Sequence, residues 1–461
     1  MWKPTRRDFL RASAAAAAGS WGLKALYGLA QAPLGERPSQ DQAVEVLNPL
    51  GRVPLSFVID DSTCLVNMGH YCMPQFAEAH PQREEYQRPW RTWPREIPDD
   101  FVREFGNWCG EHGMKGKYSV VPYPALVGWL DRELPGWSRR ELVASLDLVR
   151  ELMLPNWDIH PEMITHTRVI DLGTGRPLEE ISPATMENSY PRQKKSVDEL
   201  AAYLAYALRI LKNCGLPCEG ITTPGGFGNM VKSELSLAVH QAVRDVFAVE
   251  LPHYFKYIVG GKESSEPKLE HVEGLDSDDP RVTVNVPAGT GDWYGGWNGD
   301  RAPEADKYAT ADASAGRLVE LIGRGEPALM FCHWPGLYRH GTKEGFEAMK
   351  RVVLALEARF ADQTHWMKLS EIARYWAAKG LTRIERQGGR LLLIAPFASE
   401  KFTLRIAAEA GKMPQVVHAG APVRLEETAR LRDLRPGTWL REPGGVVVCF
   451  DLPKGKSELS V

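Results

Sequence analysis

Residues 53–64 read VPLSFVIDDSTC: an apolar run that closes on two carboxylates, Asp60 and Asp61. The run lacks the polar alternation of a half-exposed strand. It reads instead as a strand covered on both faces, as in parallel sheets whose crossover helices lie over each side. In parallel α/β folds the reactive side chains gather where strands end, so the place of the Asp-Asp pair marks it as much as its chemistry does.

The pattern continues along the chain. Residues 97–114 (IPDDFVREFGNWCGEHGM) set Phe101, Val102, Phe105, Trp108 and Cys109 at helical spacing, and KGKYSVVP follows as a strand. Helix 138–154, strand NWDIH, helix 196–214, strand CEGITTP, helix 231–245 and a strand near VFAVEL come next. Strand RVTVNVP, helix 310–323, strand PALMFCH, helix 342–361 and a closing helix KLSEIARYWAAKG complete the series. Alternation of this kind implies a parallel sheet with right-handed crossovers, and some seven units fit a closed barrel better than an open sheet. After Gly380 the pattern becomes short strands split by turns, so 381–461 reads as a small all-β domain, and 33–52 as a polar linker.

The chain of 461 residues has a net charge of -3 and is 43% hydrophobic, enough for one large core and a smaller domain. The near-neutral balance argues against nucleic acid as the main partner. The start, MWKPTRRDFLRASAAAAAGSWGLKALYGLAQA, has Arg6-Arg7, then Phe9-Leu10, an alanine-rich stretch and Ala30-Gln31-Ala32. This is the layout of a twin-arginine export signal over 1–32, which predicts an exported, periplasmic or extracellular protein. No second stretch approaches the ~20 apolar residues of a membrane span. The seven cysteines are irregularly spaced and read as core residues rather than a disulfide framework. Oligomeric state is not legible.

A second strand end carries the other candidate ligands. NWDIHPEMITHTRVID (156–171) places His160, Glu162 and His166 close together, with Pro161 limiting the backbone between the first two. His333 closes a third strand, and Thr223-Pro224 a fourth. A lone Asp-Asp pair is more often a turn or cap, and a lone histidine more often a satisfied core residue; the combination in this order is what points to a site.

In FVIDDS, the His/Glu/His segment, LMFCHWPG and HWMKLSEIARYW the chain resembles the polysaccharide deacetylases of the NodB-homology type, over roughly 53–380. The resemblance implies a distorted (β/α) barrel and removal of acetyl or similar acyl groups from a carbohydrate. It implies Asp60 as general base, Asp61 as metal ligand, a water on the metal as nucleophile, and His333 as general acid. It implies one divalent ion, zinc by family habit. The family's two histidines, with three residues between them, fall here on Glu162 and His166, so the third ligand is His160 or Glu162, with His160 preferred. His70 is a spare candidate. ITTPGGFG lacks the arginine of the family's proline loop. Thr223, Pro224, Asp292 and Trp293 are expected at the substrate, and the tryptophans of RPWRTWP and GTGDWYGGWNGD suit sugar stacking. The alternatives are a catalytically inactive barrel of the same fold that binds glycans, or another metal hydrolase on a barrel.

Overall fold

The computed structural model of the protein describes residues 32–407 and 412–461, so the expected export signal, apart from Ala32, lies outside the described residues. The expected linker is not featureless. It contains β1 (Val44–Val46), whose partner lies some 360 positions away, as described below. The larger α/β part follows with β2 (Val53–Asp60), α1 (Met68–Ala79), α2 (Asp99–Glu111), β3 (Gly116–Ser119), α3 (Arg139–Leu148) and β4 (Trp157–His160). Then come a two-stranded ribbon, β5 (Ile170–Asp171) and β6 (Arg176–Pro177), α4 (Val197–Asn213), β7 (Gly220–Thr222), α5 (Lys232–Phe247) and β8 (His253–Phe255). Strands β9 (Lys268–Glu273) and β10 (Arg281–Asn285), α6 (Arg317–Gly323), β11 (Ala328–His333), α7 (Trp334–Tyr338), α8 (Glu344–Phe360), β12 (Thr364–Trp366) and α9 (Leu369–Leu381) complete it.

Two expected elements are shifted, each for a local reason. The Thr310 hydroxyl accepts the amides of Ser314 and Ala315, which turns the chain and delays the helix expected from 310 until Arg317. Helix α5 runs on to Phe247 and ends where Ala248 adopts a left-handed backbone, so the strand expected at 246–251 begins at His253 instead.

The strands make a mixed α/β architecture of several sheets. One sheet runs β11-β2-β3-β4, with β12 also paired to β2, all parallel; the other runs β7-β8-β10-β9, with β9 antiparallel. The expected closed barrel is not formed as a continuous hydrogen-bonded ladder. Single bridges join the sheets at both seams, Glu162 to Thr222 on one side and Asp292 to Phe331 on the other. Strand β9 is one physical reason: it occupies the edge of β10 that a closed ladder would have given to β11. Pro161 is another, since it has no amide proton to add to the first seam.

Register and alternation decide which side chains face inward. Val58 pairs with Lys117 and Lys117 with Asp158; Asp60 pairs with His333, and Ser119 with His160. These therefore share one face. Phe57 and Trp157 take the other, where Phe105 of α2 packs with ring centroids 6.5 and 5.5 Å away. The helices are set by conventional signals: α3 and α4 each start in a capping box, Ser138 with Glu141 and Ser196 with Glu199.

The all-β part is larger than the sequence suggests. Strands β13 (Arg383–Gln387), β14 (Arg390–Ala395), β15 (Ser399–Ala407), β16 (Gln415–His418), β17 (Ala421–Val423), β18 (Glu426–Glu427), β19 (Thr438–Glu442), β20 (Gly445–Leu452) and β21 (Gly455–Ser460) form, together with β1 paired against β15, two five-stranded sheets. Alternate residues Leu391, Leu393, Phe402, Leu404, Val446 and Val448 meet in one buried cluster. That cluster also takes in Tyr375 and Trp376 of α9 and Val58 and Phe331 of the α/β part, so the two parts share a core. The Tyr375 hydroxyl donates to Leu47 O at 2.7 Å, tying α9 to the segment after β1. A chain covering 33–380 would leave β1 unpaired and this apolar face in water. We expect it to be insoluble or strongly destabilised beside the full chain in a thermal melt; a cooperative melt at the full-length temperature would refute the shared core.

Candidate active site

At the ends of β2 and β4, three side chains converge. His166 Nε2 lies 2.8 Å from Asp61 Oδ1 and 3.4 Å from Glu162 Oε1. Glu162 Oε2 accepts the Asp61 amide at 2.8 Å. All three residues are buried, and their donor atoms lie within 4.8 Å of one another. Neither Asp61 oxygen has a hydrogen bond, although Oδ1 touches His166 Nε2: the contact is close but out of line. Two carboxylates and an imidazole this close together, with two buried oxygens otherwise unsatisfied, could hold a divalent cation.

The local backbone explains the convergence. Asp61 leaves β2 with a left-handed φ of 57°, and Met163 and His166 have φ of 55° and 65°. Such angles are costly outside glycine and persist only where the surroundings hold them. Glu187 does the holding: its carboxylate accepts the amides of Ile164 (3.1 Å), Thr165 (3.0 Å) and His166 (2.5 Å) and the Tyr203 hydroxyl (2.5 Å). Burial pushes Glu187 up to about 7, against those hydrogen bonds. Burial would also raise Glu162, but His166, Lys117 and the Asp61 amide outweigh it and hold Glu162 down at about 2. For His166 burial opposes the charge, yet Asp61 and Glu162 lift it well above the ordinary histidine range.

Beside this group sit two ion pairs. Lys117, fully buried, donates to Asp60 Oδ1, to Ile59 O at 2.8 Å and to Ser119 Oγ at 2.8 Å, so its three donors are all used. Burial, aided by the charge of Glu162, raises Asp60 to about 7, while Lys117 and His333 pull the other way. His333 Nδ1 donates to Asp292 Oδ2 at 2.7 Å. Burial would lower His333, but Asp292, Asp61 and Asp60 outweigh that and raise it to about 9. Asp60 thus exchanges a proton near neutrality, and His333 carries one there.

Asp60, Asp61, Glu162, His166 and His333 line a cleft of about 560 Å³ together with Thr223, Pro224 and Trp297. Thr223 and Pro224 both face it. Asp292 does not: it backs His333 instead of facing the cleft. Trp293 packs on Tyr308 at 4.9 Å between centroids, and Trp297 of the same loop is the cleft tryptophan. His70 is turned away, its Nδ1 3.0 Å from Trp93 O.

His160, the preferred third ligand of the sequence reading, is not part of the Asp61 group. Alternation on β4 puts it on the inward face with Asp158, below the strand end. Its Nε2 is 3.0 Å from His253 Nε2, and its Nδ1 is 3.3 Å from Thr222 Oγ1. Gly220 makes room for both rings: a Cβ there would lie 2.6 Å from His160 Nε2 and 2.7 Å from His253 Nε2. Burial holds His160 well below the ordinary range and His253 down to about 4, so both rings are neutral. Asp158, His160 and His253 are a second group with metal-ligating atoms, but Asp158 is engaged by the Ser370 amide (2.6 Å) and hydroxyl (2.8 Å).

Lys117 and Glu187 are the site residues that sequence reading misses. Lys117 lies inside a strand and carries no motif, and Glu187 sits in a loop without periodicity; no signal in one sequence singles out either.

No protein-family model matches the chain, and no curated protein matches it. Solved structures are similar at a distance. One, provisionally assigned as a glycoside hydrolase/deacetylase from Parabacteroides distasonis, is 11% identical with a TM-score of 0.38, covering 80% of this chain and 83% of its own. The α-fucosidase of Thermotoga maritima in complex with fucose is 11% identical with a TM-score of 0.28, covering 90% and 97%. An endo-β1,6-glucanase is 10% identical with a TM-score of 0.28, covering 92% and 94%. At these values the likeness decides neither fold nor activity, and the reading below rests on the geometry.

Proposed function

We propose that the protein is a metal-dependent hydrolase that removes acetyl or similar acyl groups from a carbohydrate, as the resemblance to the polysaccharide deacetylases implies. The observation that carries this reading is the meeting, in one cleft, of a convergent Asp61–Glu162–His166 group with an Asp60–Lys117 pair and a His333–Asp292 pair. We read the two bridged sheets as halves of a distorted barrel of the NodB-homology type, and residues 1–32 as a twin-arginine export signal.

Asp61, Glu162 and His166 would hold one divalent ion. When bound, it would acidify a water and polarise the substrate carbonyl. One nitrogen and two carboxylate donors are compatible with zinc and with harder ions. Asp60, kept ionised in part by Lys117, takes a proton from the attacking water. His333, charged and oriented by Asp292, donates one to the leaving amine or alcohol. Lys117 supplies a compensating positive charge beside Asp60. That compensation favours a working base over the inactive glycan-binding alternative.

The test is acetate release from N-acetylated and O-acetylated oligosaccharides by purified protein, before and after chelation. Release that chelation abolishes and added divalent ion restores is expected. No release from any acetylated saccharide by metal-loaded protein would refute the reading.

A further inference from the structure

We propose that the cleft contains, beside the Asp61–Glu162–His166 group, a subsite for an anionic substituent on the saccharide, held by Lys256. The inference deepens the hydrolase reading, on which its description of the ligand as substrate rests.

Lys256 follows directly on β8 and lines the cleft with Lys232, the first residue of α5. Lys256 is 7% exposed, and its ammonium donates to Phe227 O. Among the described residues it makes no ion pair with a carboxylate, and the charge that acts on it is that of Lys232. The two ammonium groups lie 5.3 and 5.7 Å from the centroid of the Tyr257 ring. Burial, reinforced by the like charge of Lys232, lowers Lys256 to about 7. A buried ammonium without an acidic partner is unfavourable in an empty fold, and a bound anion reverses the sign of that energy.

Two further features point to a ligand at this wall. Thr223, 3% exposed and on the cleft, has a hydroxyl with no hydrogen-bond partner, and Asn188 Oδ1 is likewise buried and unsatisfied. Helix α5 starts without a side-chain cap, adding partial positive charge where Lys232 stands. A buried lysine without a carboxylate partner, Lys256, polar atoms without a hydrogen bond, and the aromatic rings of Tyr257 and Trp297 are elements that hold a charged sugar: ring faces on aromatics, hydroxyls on polar atoms, and a carboxylate or sulfate on lysine.

The test is titration calorimetry on the full chain carrying His333→Gln, so that ligands are not turned over. The probes are tetragalacturonate, a sulfated chondroitin tetrasaccharide and neutral chitotetraose. One charged tetramer is expected to bind about tenfold tighter than chitotetraose, or more. Preference for galacturonate names the carboxylate as the anion, and preference for chondroitin names the sulfate. Adding Lys256→Met should erase the preference and Lys256→Arg should keep it. Should Lys256→Met fail to fold, salt decides: rising NaCl should weaken the charged tetramer and leave chitotetraose unchanged. Equal or tighter binding of chitotetraose, a preference that survives Lys256→Met, or no binding of either charged tetramer overturns the proposal. Acetate release measured on the wild type separates the two readings. Charge preference without release removes the hydrolase and keeps the subsite; release without charge preference does the reverse.

Discussion

His166→Ala and Asp61→Ala are expected to leave the protein without a stoichiometric divalent ion, and Glu162→Gln to lose nearly as much. His160→Ala should leave metal content unchanged. The ranking follows from where the atoms lie. The imidazole of His166 is within 3.4 Å of both carboxylates, and Asp61 has two buried oxygens with nothing else to bind. Removing any of the three takes away a donor that no neighbour can replace. Loss of an outer-shell partner typically costs 10–100-fold in metal affinity, and direct ligands are expected to exceed about 100-fold. His160 faces His253 and Thr222 instead, so its removal should lower the melting temperature and not the metal. Elemental analysis after dialysis, beside a thermal melt for each variant, makes the measurement. Full metal in His166→Ala would end the assignment, and loss in His160→Ala greater than in Glu162→Gln would move the site inward.

The second large effect is on turnover. Asp60→Asn and His333→Gln should each lower kcat about 10²–10⁴-fold, with bound metal retained, because each removes a proton carrier and no ligand. Asp292→Asn should act differently, since Asp292 holds and charges His333 without facing the cleft. An acid must be protonated to work, so activity falls as pH rises through its pKa. Losing Asp292 lowers the pKa of His333, and the alkaline limb of the pH–rate profile should move to lower pH. Unchanged kcat in His333→Gln would exclude it as the acid, and an unmoved limb in Asp292→Asn would exclude Asp292 as its partner.

The sequence reading singled out Asp60, Asp61 and His333 because each stands at or just beyond the end of an apolar run, and strand ends are where parallel folds expose chemistry; His166 came from the resemblance to the polysaccharide deacetylases. It preferred His160 to Glu162 because spacing alone cannot tell the last inward residue of a strand from the first residue above it; Pro161 divides the two. Lys117 was invisible for a related reason: a lysine between glycine and tyrosine in a strand looks solvent-facing until the register with Val58 and Asp158 turns it inward. The all-β character of the last eighty residues was legible from their turns. The recruitment of Val44–Val46 was not, since three residues carry no period and the partner strand lies some 360 positions on.

Glu187 has a consequence for how an ion comes and goes. Three consecutive amides and a tyrosine hydroxyl converge on its carboxylate, so the turn bearing His166 owes its shape to a side chain and not to whatever His166 binds. Ordering that turn happens once, when the chain folds. A cation bound there would find His166 already in place and would forfeit little of its binding energy to ordering that turn. Its departure would leave the turn standing, so loading and stripping would repeat in the same molecule without refolding.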